Sequence, residues 1–188
     1  WDIFYSFYND TAWSDPIPLS TSPYDDAFPA LTVDKNNHLH VTWRQRTSNG
    51  PIYYCYFDGT SWTPPEVIAS ITNSQSGGSC IIVDSINRPY VVFNNAAMPN
   101  DSGEIYCIYN DGIEWTIPLN ISNTIHPSSN ASLAIDAQDN LYCLWNERVN
   151  NPDPDIDIFF STKHGSLWST PINITQDTSI SVCPKVGN

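Results

Sequence analysis

The chain has 188 residues, of which 40% are hydrophobic and 13% aromatic, enough for a globular core. Its formal net charge is −13 with only seven Lys and Arg residues, so its surface would repel nucleic acid and anionic lipid. No apolar run approaches the roughly 20 residues that a membrane span needs, so we expect neither a nucleic-acid partner nor membrane insertion.

The first predicted element, residues 1–21, is half of a repeating unit. Its segment "IFYSFYNDTAW" spaces Ile and Trp by ten residues, and the spacing returns in "IYYCYFDGTSW", "IYCIYNDGIEW" and "IFFSTKHGSLW". The four Trp residues are 49, 53 and 53 residues apart. A period of this length indicates an array of supersecondary units. The repeated tryptophans are Trp13, Trp62, Trp115 and Trp168. We expect them to pack within and between the units.

The first complete unit, residues 22–71, has the pattern of four short strands. In "LTVDKNNHLHVTW" a turn at Asp34 separates two strands, because Asn and Asp tolerate the left-handed conformation and cap their own backbone. The third strand is aromatic and β-branched, and Gly59 in "FDG" permits a tight hairpin. The fourth strand runs from Trp62 through "TPPEVIAS" at the sheet edge, where proline is tolerated.

Residues 72–123 and 124–175 repeat this pattern, with Asp84 and Asp136 at the turn. The segment 176–188 contains "SISVCPKVGN", which matches the first strand in "DDAFPALTVD". We predict an all-β chain that forms a β-propeller of four-stranded antiparallel blades, three complete plus partial blades at the termini. The chain would then be a portion of a longer propeller, or it would assemble with another chain through its incomplete terminal blades.

The connection between the second and third strands predicts where ligands bind. From the aromatic residue that ends strand two to the Ile of strand three it spans nine, twelve and thirteen residues, whereas the other turns within the units are constant. Binding residues concentrate on variable loops held by a rigid scaffold. The candidate ligand-binding residues on this face are Trp43, Arg46, Asn94, Trp145, Glu147 and Arg148.

Arg46 and Arg148 follow Trp43 and Trp145 by three residues, in equivalent places. A guanidinium can bind a carboxylate with two hydrogen bonds or stack on a ring, which would suit an anionic or hydroxylated ligand. The alternative is an ion pair with a local acid such as Glu147. The two tryptophans could stack on a sugar face or belong to the core.

Asp153, Asp155 and Asp157 alternate in "PDPDID" and could offer oxygen ligands to Ca²⁺. The stretch lacks the turn glycine and the bidentate Glu of an EF-hand, so the alternative is a solvated acidic loop. We expect no other cofactor. We also expect the four His residues not to cluster.

The five cysteines form no CxxC pair, and their odd number argues against a complete disulfide framework. Cys55, Cys80 and Cys143 stand where other units carry Ser, Ala or Val. We therefore expect buried free thiols that behave as small hydrophobic residues.

The segments "PALTVDKNNHLHVTW" and "IYYCYFDGTSWTPPEVI" together resemble the sialidase-like, Asp-box-type propeller repeats of secreted and cell-surface bacterial and archaeal proteins. That family pairs Ser/Thr-x-Asp-x-Gly with a Trp. This sequence keeps "DG" before Trp62 and Trp115, loses the Gly in "NDT" and loses the Asp in "HG". In the family the box marks the fold and carries no catalysis.

The resemblance implies an extracellular or cell-surface location. Sialidases of the family use three Arg, a Tyr/Glu nucleophile pair and an acid Asp, whereas this chain has four Arg, none in an Arg-Ile-Pro context. We assign no catalytic residues and expect a non-catalytic propeller module for adhesion, scaffolding or surface-layer structure, with a glycan or a surface protein as partner. The alternatives are a glycan-binding, lectin-like propeller and a fragment of a propeller glycoside hydrolase or polysaccharide lyase.

Overall fold

The computed structural model describes residues 1–47, 50–70, 77–95, 103–149, 155–176, 180–182 and 184–185. Throughout these ranges the chain contains strands and turns and no helix. The strands form antiparallel sheets of two to five strands, which confirms the all-β prediction.

A short N-terminal pair precedes three larger sheets. The N-terminal pair joins β1 (Phe4–Tyr5) and β2 (Ile17–Pro18). Sheet one contains β3 (Asp26–Val33), β4 (Leu39–Gln45), β5 (Pro51–Phe57) and β6 (Glu66–Ser70). Sheet two contains β7 (Ser79–Val83), β8 (Pro89–Asn95), β9 (Glu104–Tyr109) and β10 (Leu119–Asn120). Sheet three contains β11 (Ser128–Ile135), β12 (Leu141–Val149), β13 (Asp155–His164), β14 (Leu167–Trp168) and β15 (Ile172–Asn173).

In each larger sheet the strands pair in chain order, and the register repeats from sheet to sheet. In sheet three both β14 and β15 pair with β13, at different points along it. The proline-containing segment therefore lies at a sheet edge, as predicted. The equivalent cross-strand pairs are Val41–Cys55, Val91–Ile108 and Cys143–Ser161.

One aspartate closes the first turn of each larger sheet. Asp34 Oδ1 accepts backbone N–H bonds from Asn36 at 2.8 Å and His38 at 2.9 Å. Asp84 and Asp136 make the same two bonds, so the predicted capping role is confirmed. The residue three positions after each aspartate has a positive φ, namely Asn37, Asn87 and Asp139.

The hairpin before each repeated tryptophan has the predicted geometry. Gly59 has a φ of 91°, and Asp10, which replaces it in the first copy, has a φ of 71°. Asp58 Oδ1 accepts the backbone N–H groups of Thr60 and Ser61, both at 2.8 Å. The Asp58 side chain thus closes the turn, and Gly59 supplies the positive φ that the turn requires.

The sheets pack face to face in series, with a hydrophobic cluster at each interface. Trp43 lies between the N-terminal pair and sheet one, Phe93 between sheets one and two, and Trp145 between sheets two and three. All three residues lie within the second strand of their sheet, which extends two to four residues beyond the aromatic position where the sequence predicted its end. Each larger sheet therefore buries an aromatic ring at the same repeat position against the sheet that precedes it. Each such burial stabilises the fold by about 1.5–3 kcal/mol.

The tryptophans after the hairpins reinforce these interfaces. The ring of Trp62 meets Tyr5 of the N-terminal pair edge-on, with centroids 5.1 Å apart, and Trp115 meets Tyr54 of sheet one in the same way at 5.0 Å. Trp168 packs against the cluster between sheets two and three. The predicted packing between units is confirmed for these three tryptophans.

Hydrogen bonds also link consecutive units at both ends of the sheets. At the aspartate-turn end, Lys35 Nζ donates to the Ser85 carbonyl at 2.7 Å, and Ser85 Oγ donates to Asp139 at 2.5 Å. At the opposite end one backbone bond recurs in equivalent places: Asp26 N to Trp1 O, Ser128 N to Gly103 O and Ser181 N to Ile156 O. Hydrogen bonds at one end or the other therefore join each unit to the next.

The four cysteines within the described ranges are free thiols, and three of them are buried. Burial raises the pKa of Cys55 and of Cys107 to about 12, so both remain protonated at neutral pH. This confirms the expectation of buried thiols. Cys183 lies outside the described residues.

Candidate functional site

The two tryptophans predicted near the ligand lie in the core. Trp43 is 1% exposed and Trp145 is 0% exposed. Trp43 stacks on Tyr53 with centroids 5.6 Å apart, and Trp145 stacks on Phe159 at 6.3 Å. Of the two alternatives the structure shows the core position, because neither ring has a face open to a sugar.

Glu147 and Asn94 are also buried rather than presented to solvent. Glu147 Oε2 accepts hydrogen bonds from Trp145 Nε1 at 2.8 Å and from Ser128 Oγ at 2.9 Å. The carboxylate therefore fixes a core ring and the first strand of sheet three. It points away from Arg148, since consecutive residues of a strand face opposite sides.

The two candidate arginines, Arg46 and Arg148, are exposed at equivalent positions of different sheets. Their backbone N–H groups donate to the carbonyls of Asp25 and Pro127, at 2.7 and 2.9 Å. Arg46 borders a cleft of about 460 Å³ between the N-terminal pair and sheet one. Arg148 belongs to sheet three, so sheet two lies between the two arginines.

A buried acid paired with a hydroxyl recurs at the start of the third strand, and sequence reasoning missed it. Glu104 accepts from Ser122 Oγ, and Asp157 accepts from Thr175 Oγ1 at 2.8 Å. Each hydroxyl also accepts the backbone N–H of the residue after the acid. The signal was an acid before the strand's Ile and a Ser or Thr 18 residues after that acid, in both units.

The pKa of Glu104 is raised above its ordinary value. Burial raises its pKa, hydrogen bonds from Ser122 and Thr124 act against that rise, and the negative charge of Glu147 adds to it. The acids at this end of the sheets are held by hydroxyl and amide donors. Their arrangement stabilises strand ends.

The predicted calcium ligands fall partly outside the described residues, because Asp153 is not among them. Asp155 is half-buried, and Asp157 is buried with both carboxylate oxygens accepting hydrogen bonds, from Asn173 and Thr175. Within the described ranges no group of three His, Cys, Asp or Glu residues could hold a metal ion. The calcium site stays a prediction.

A polar cleft of about 590 Å³ opens between sheets one and two, at the aspartate-turn end. Its volume falls within the range of small-molecule sites. Sheet one lines it with titratable and aromatic side chains, namely Asp34, His38, His40, Tyr54, Tyr56 and Glu66. Sheet two lines it with Asn87, Pro89 and Asn110. We take this cleft as the candidate functional site.

Two histidines share one carboxylate in the cleft. Asp34 Oδ2 lies 3.2 Å from His38 Nδ1 and 3.7 Å from His40 Nε2. The hydroxyl of Tyr56 is 2.5 Å from His38 Nδ1, and the hydroxyl of Tyr54 is 2.8 Å from His40 Nδ1. The expectation that the histidines do not cluster is therefore wrong for these two.

Strand register explains why these side chains meet. His40 pairs with Tyr56 and Thr42 pairs with Tyr54, so alternate residues of β4 and β5 share one face of sheet one. The turn then brings Asp34 back beside them. The alternation in "HLH" and "YCY" was the available signal, because strand side chains repeat with a period of two.

The cleft has a defined charge state at neutral pH. Burial lowers the pKa of His40, although the Asp34 carboxylate acts in the opposite direction. For Asp34, burial alone would raise the pKa, but backbone N–H bonds from His38 and Asn36 outweigh it and lower the pKa. Burial raises the pKa of Tyr54 far above its usual value. Asp34 is therefore charged, while His40 and Tyr54 are neutral.

Acidification from pH 7.5 to 5.5 is expected to destabilise the fold through His40. Its pKa is lower when folded than in the unfolded chain, where it is about 6.5. Below that pH the unfolded chain takes up a proton that the folded chain resists, so stability is lost as pH falls. The depressed pKa of Asp34 acts in the same direction, but only below about pH 4.

Urea unfolding of the wild type and of His40→Gln at both pH values tests this expectation. Between pH 7.5 and 5.5 the free energy of unfolding should fall by less in the variant than in the wild type. An equal loss in both proteins would show that His40 does not resist protonation in the fold.

Comparisons with known proteins inform the fold only. No family model and no curated protein matches the chain. Among 25 solved chains that match is a protein of unknown function from Dyadobacter fermentans DSM 18053, with a TM-score of 0.56 and 14% identity. The match covers 81% of this chain and 56% of that one, so the chain spans little more than half of that protein. In the described ranges no helix has the length and apolar character to cross a membrane.

Proposed function

We propose that the chain is a stretch of β-propeller that serves as a non-catalytic module of an extracellular adhesion, scaffolding or surface-layer protein. The serial packing of the sheets carries this proposal. Each larger sheet presents an aromatic residue at the same repeat position to the sheet before it, namely Trp43, Phe93 or Trp145. Repeated contacts of this kind suit blades arranged about an axis.

The proposed blades are residues 22–71, 72–123 and 124–175, with residues 1–21 and 176–188 belonging to flanking blades. The hairpins support kinship with Asp-box-type, sialidase-like repeats, because Asp58 and its equivalents close the turn before the tryptophan. The net charge of −13 supports a well-solvated surface that does not seek nucleic acid or anionic lipid.

Surface labelling of the source cells tests the location. An antibody raised against the chain should label intact cells as strongly as permeabilised cells. Labelling that requires permeabilisation would contradict the proposal.

Incubation of the chain with sialylated oligosaccharides and with acidic and neutral polysaccharides tests its non-catalytic character. We expect no release of reducing ends or unsaturated products over the no-protein control. Turnover proportional to protein concentration would contradict the proposal and favour an enzyme fragment.

The cleft between sheets one and two favours a second candidate function, the binding of a glycan. Tyrosine rings beside hydrogen-bonding groups suit a ligand with apolar faces and many hydroxyls, because a Tyr side chain is apolar in its body and polar at its tip.

A further inference from the structure

Two buried polar atoms at the cleft make no hydrogen bond to any described residue: His40 Nε2 and Asn87 Oδ1. The His40 side chain is 97% buried, and its Nε2 is 3.7 Å from Asp34 Oδ2, too far for a hydrogen bond. A buried polar group without a partner costs about 1–3 kcal/mol. Both atoms have essentially no accessible surface, so a ligand reaches them only when the side chains that cover them shift, and a ligand that then satisfied both atoms would recover part of that cost.

The two atoms require different partners. The Tyr54 hydroxyl donates to His40 Nδ1 at 2.8 Å in the tautomer that we assign, which leaves His40 Nε2–H as a donor. The Asn87 amide oxygen is an acceptor. A hydroxyl group both accepts and donates, so a polyhydroxylated ligand meets both requirements.

The charges around the cleft are unfavourable for an anion. Asp34 and Glu66 border it, and the described residues that line it include no Lys or Arg. The Asp34 side chain is 1% exposed, and Glu66 Oε1 already accepts from Trp115 Nε1 at 2.9 Å. The cleft is therefore unfavourable for negative charge, whereas a cation would find Asp34 buried and Glu66 exposed with one oxygen already bonded.

The corresponding place between sheets two and three is occupied by the protein itself. Arg88, the equivalent of His38, donates from Nε to Asp84 at 2.7 Å and lies 5.9 Å from the centre of the Tyr90 ring. Lys163 of sheet three lies 5.5 Å from the same ring. Among the described residues, the side chains of Arg88 and Lys163 therefore lie at the interface of sheets two and three in the place where sheets one and two leave the cleft, although the fold repeats.

We propose that this cleft binds a neutral sugar residue of a glycan, with His40 Nε2–H and Asn87 Oδ1 bonding its hydroxyls and Tyr56 forming part of the wall. The inference rests on the second candidate function, glycan binding, and specifies its site and ligand class. Among the described residues it places the site at the interface of sheets one and two and not in every repeat.

Blocking the mouth of the cleft tests the site. Asn36 is exposed, lines the cleft and uses only its backbone N–H to cap Asp34. Asn36→Trp should fill the mouth and leave the turn intact. Gln138→Trp is the matched control, because Gln138 occupies the same turn position in sheet three and makes the same backbone bond to Asp136.

Calorimetric titration with neutral gluco-, manno-, galacto- and xylo-oligosaccharides should give saturable binding for at least one of them. Asn36→Trp should weaken that binding at least about tenfold, whereas Gln138→Trp should not change it. Sialyllactose and glucosamine serve as the anionic and cationic probes. Tyr56→Phe is a second variant that keeps the ring, and it should weaken binding more than its equivalent Tyr109→Phe.

Failure has distinguishable forms. If no neutral sugar binds, this inference and the glycan-binding candidate fall, while the surface module is judged separately by cell labelling. If a sugar binds equally well to Asn36→Trp, the site lies elsewhere and the inference is wrong. Stronger binding of sialyllactose or glucosamine than of every neutral sugar would overturn the ligand class.

Discussion

Trp145→Ala is expected to lower the free energy of unfolding by about 3–5 kcal/mol, the range found when a large buried aromatic side chain is truncated. The ring is fully buried between sheets two and three. Its loss leaves a cavity and removes the Nε1 donor from Glu147, which is itself 1% exposed. Urea denaturation of both proteins measures the difference.

Trp145→Phe separates the contribution of ring packing from that of the hydrogen bond to Glu147. Phe occupies the equivalent position, Phe93, in sheet two, so the ring volume is tolerated there. The variant keeps most of the packing but leaves Glu147 with one donor fewer, and it should cost less than the alanine variant. A loss below about 1 kcal/mol for Trp145→Ala would mean that this ring does not form the core.

Trp115→Ala is expected to cost about 3 kcal/mol, the low end for a truncated aromatic, because the ring is half-buried. It would lose the edge-on contact with Tyr54, at 5.0 Å, and the hydrogen bond to Glu66. The same residue type at the same repeat position provides the control: Trp13 is 69% exposed.

Trp13→Ala should therefore change the free energy of unfolding by less than about 0.5 kcal/mol. Chemical denaturation of both variants at neutral pH gives the comparison. Equal losses in the two variants would show that the repeated tryptophan stabilises its own hairpin rather than the interface with the preceding sheet.

The local structure was readable from the sequence because its causes are local. Asp34 and its equivalents cap a turn through neighbouring N–H groups, and Gly59 takes the left-handed conformation that its hairpin requires. Because the sequence repeats every 49 or 53 residues, a turn or strand predicted in one unit could be predicted at the equivalent place in the others.

The site was less accessible because it depends on contacts between distant residues. Glu147 looked like a loop acid, but it is buried by residues of another strand and by a core ring. The cleft forms where sheet two meets sheet one, and Asn87 Oδ1 is buried there without a hydrogen-bond partner among the described residues. Periodicity predicts the strands, but it does not predict which polar atoms lose their partners when two sheets pack.

A crystal structure of the chain is the most direct test of repeated sheets stacked as blades. We expect Tyr5–Trp62 and Tyr54–Trp115 edge contacts at equivalent places of two successive interfaces, with each larger sheet turned by a similar angle about a common axis. A structure in which sheets one and three pack directly on each other as a sandwich, with these tryptophans in solvent, would contradict it.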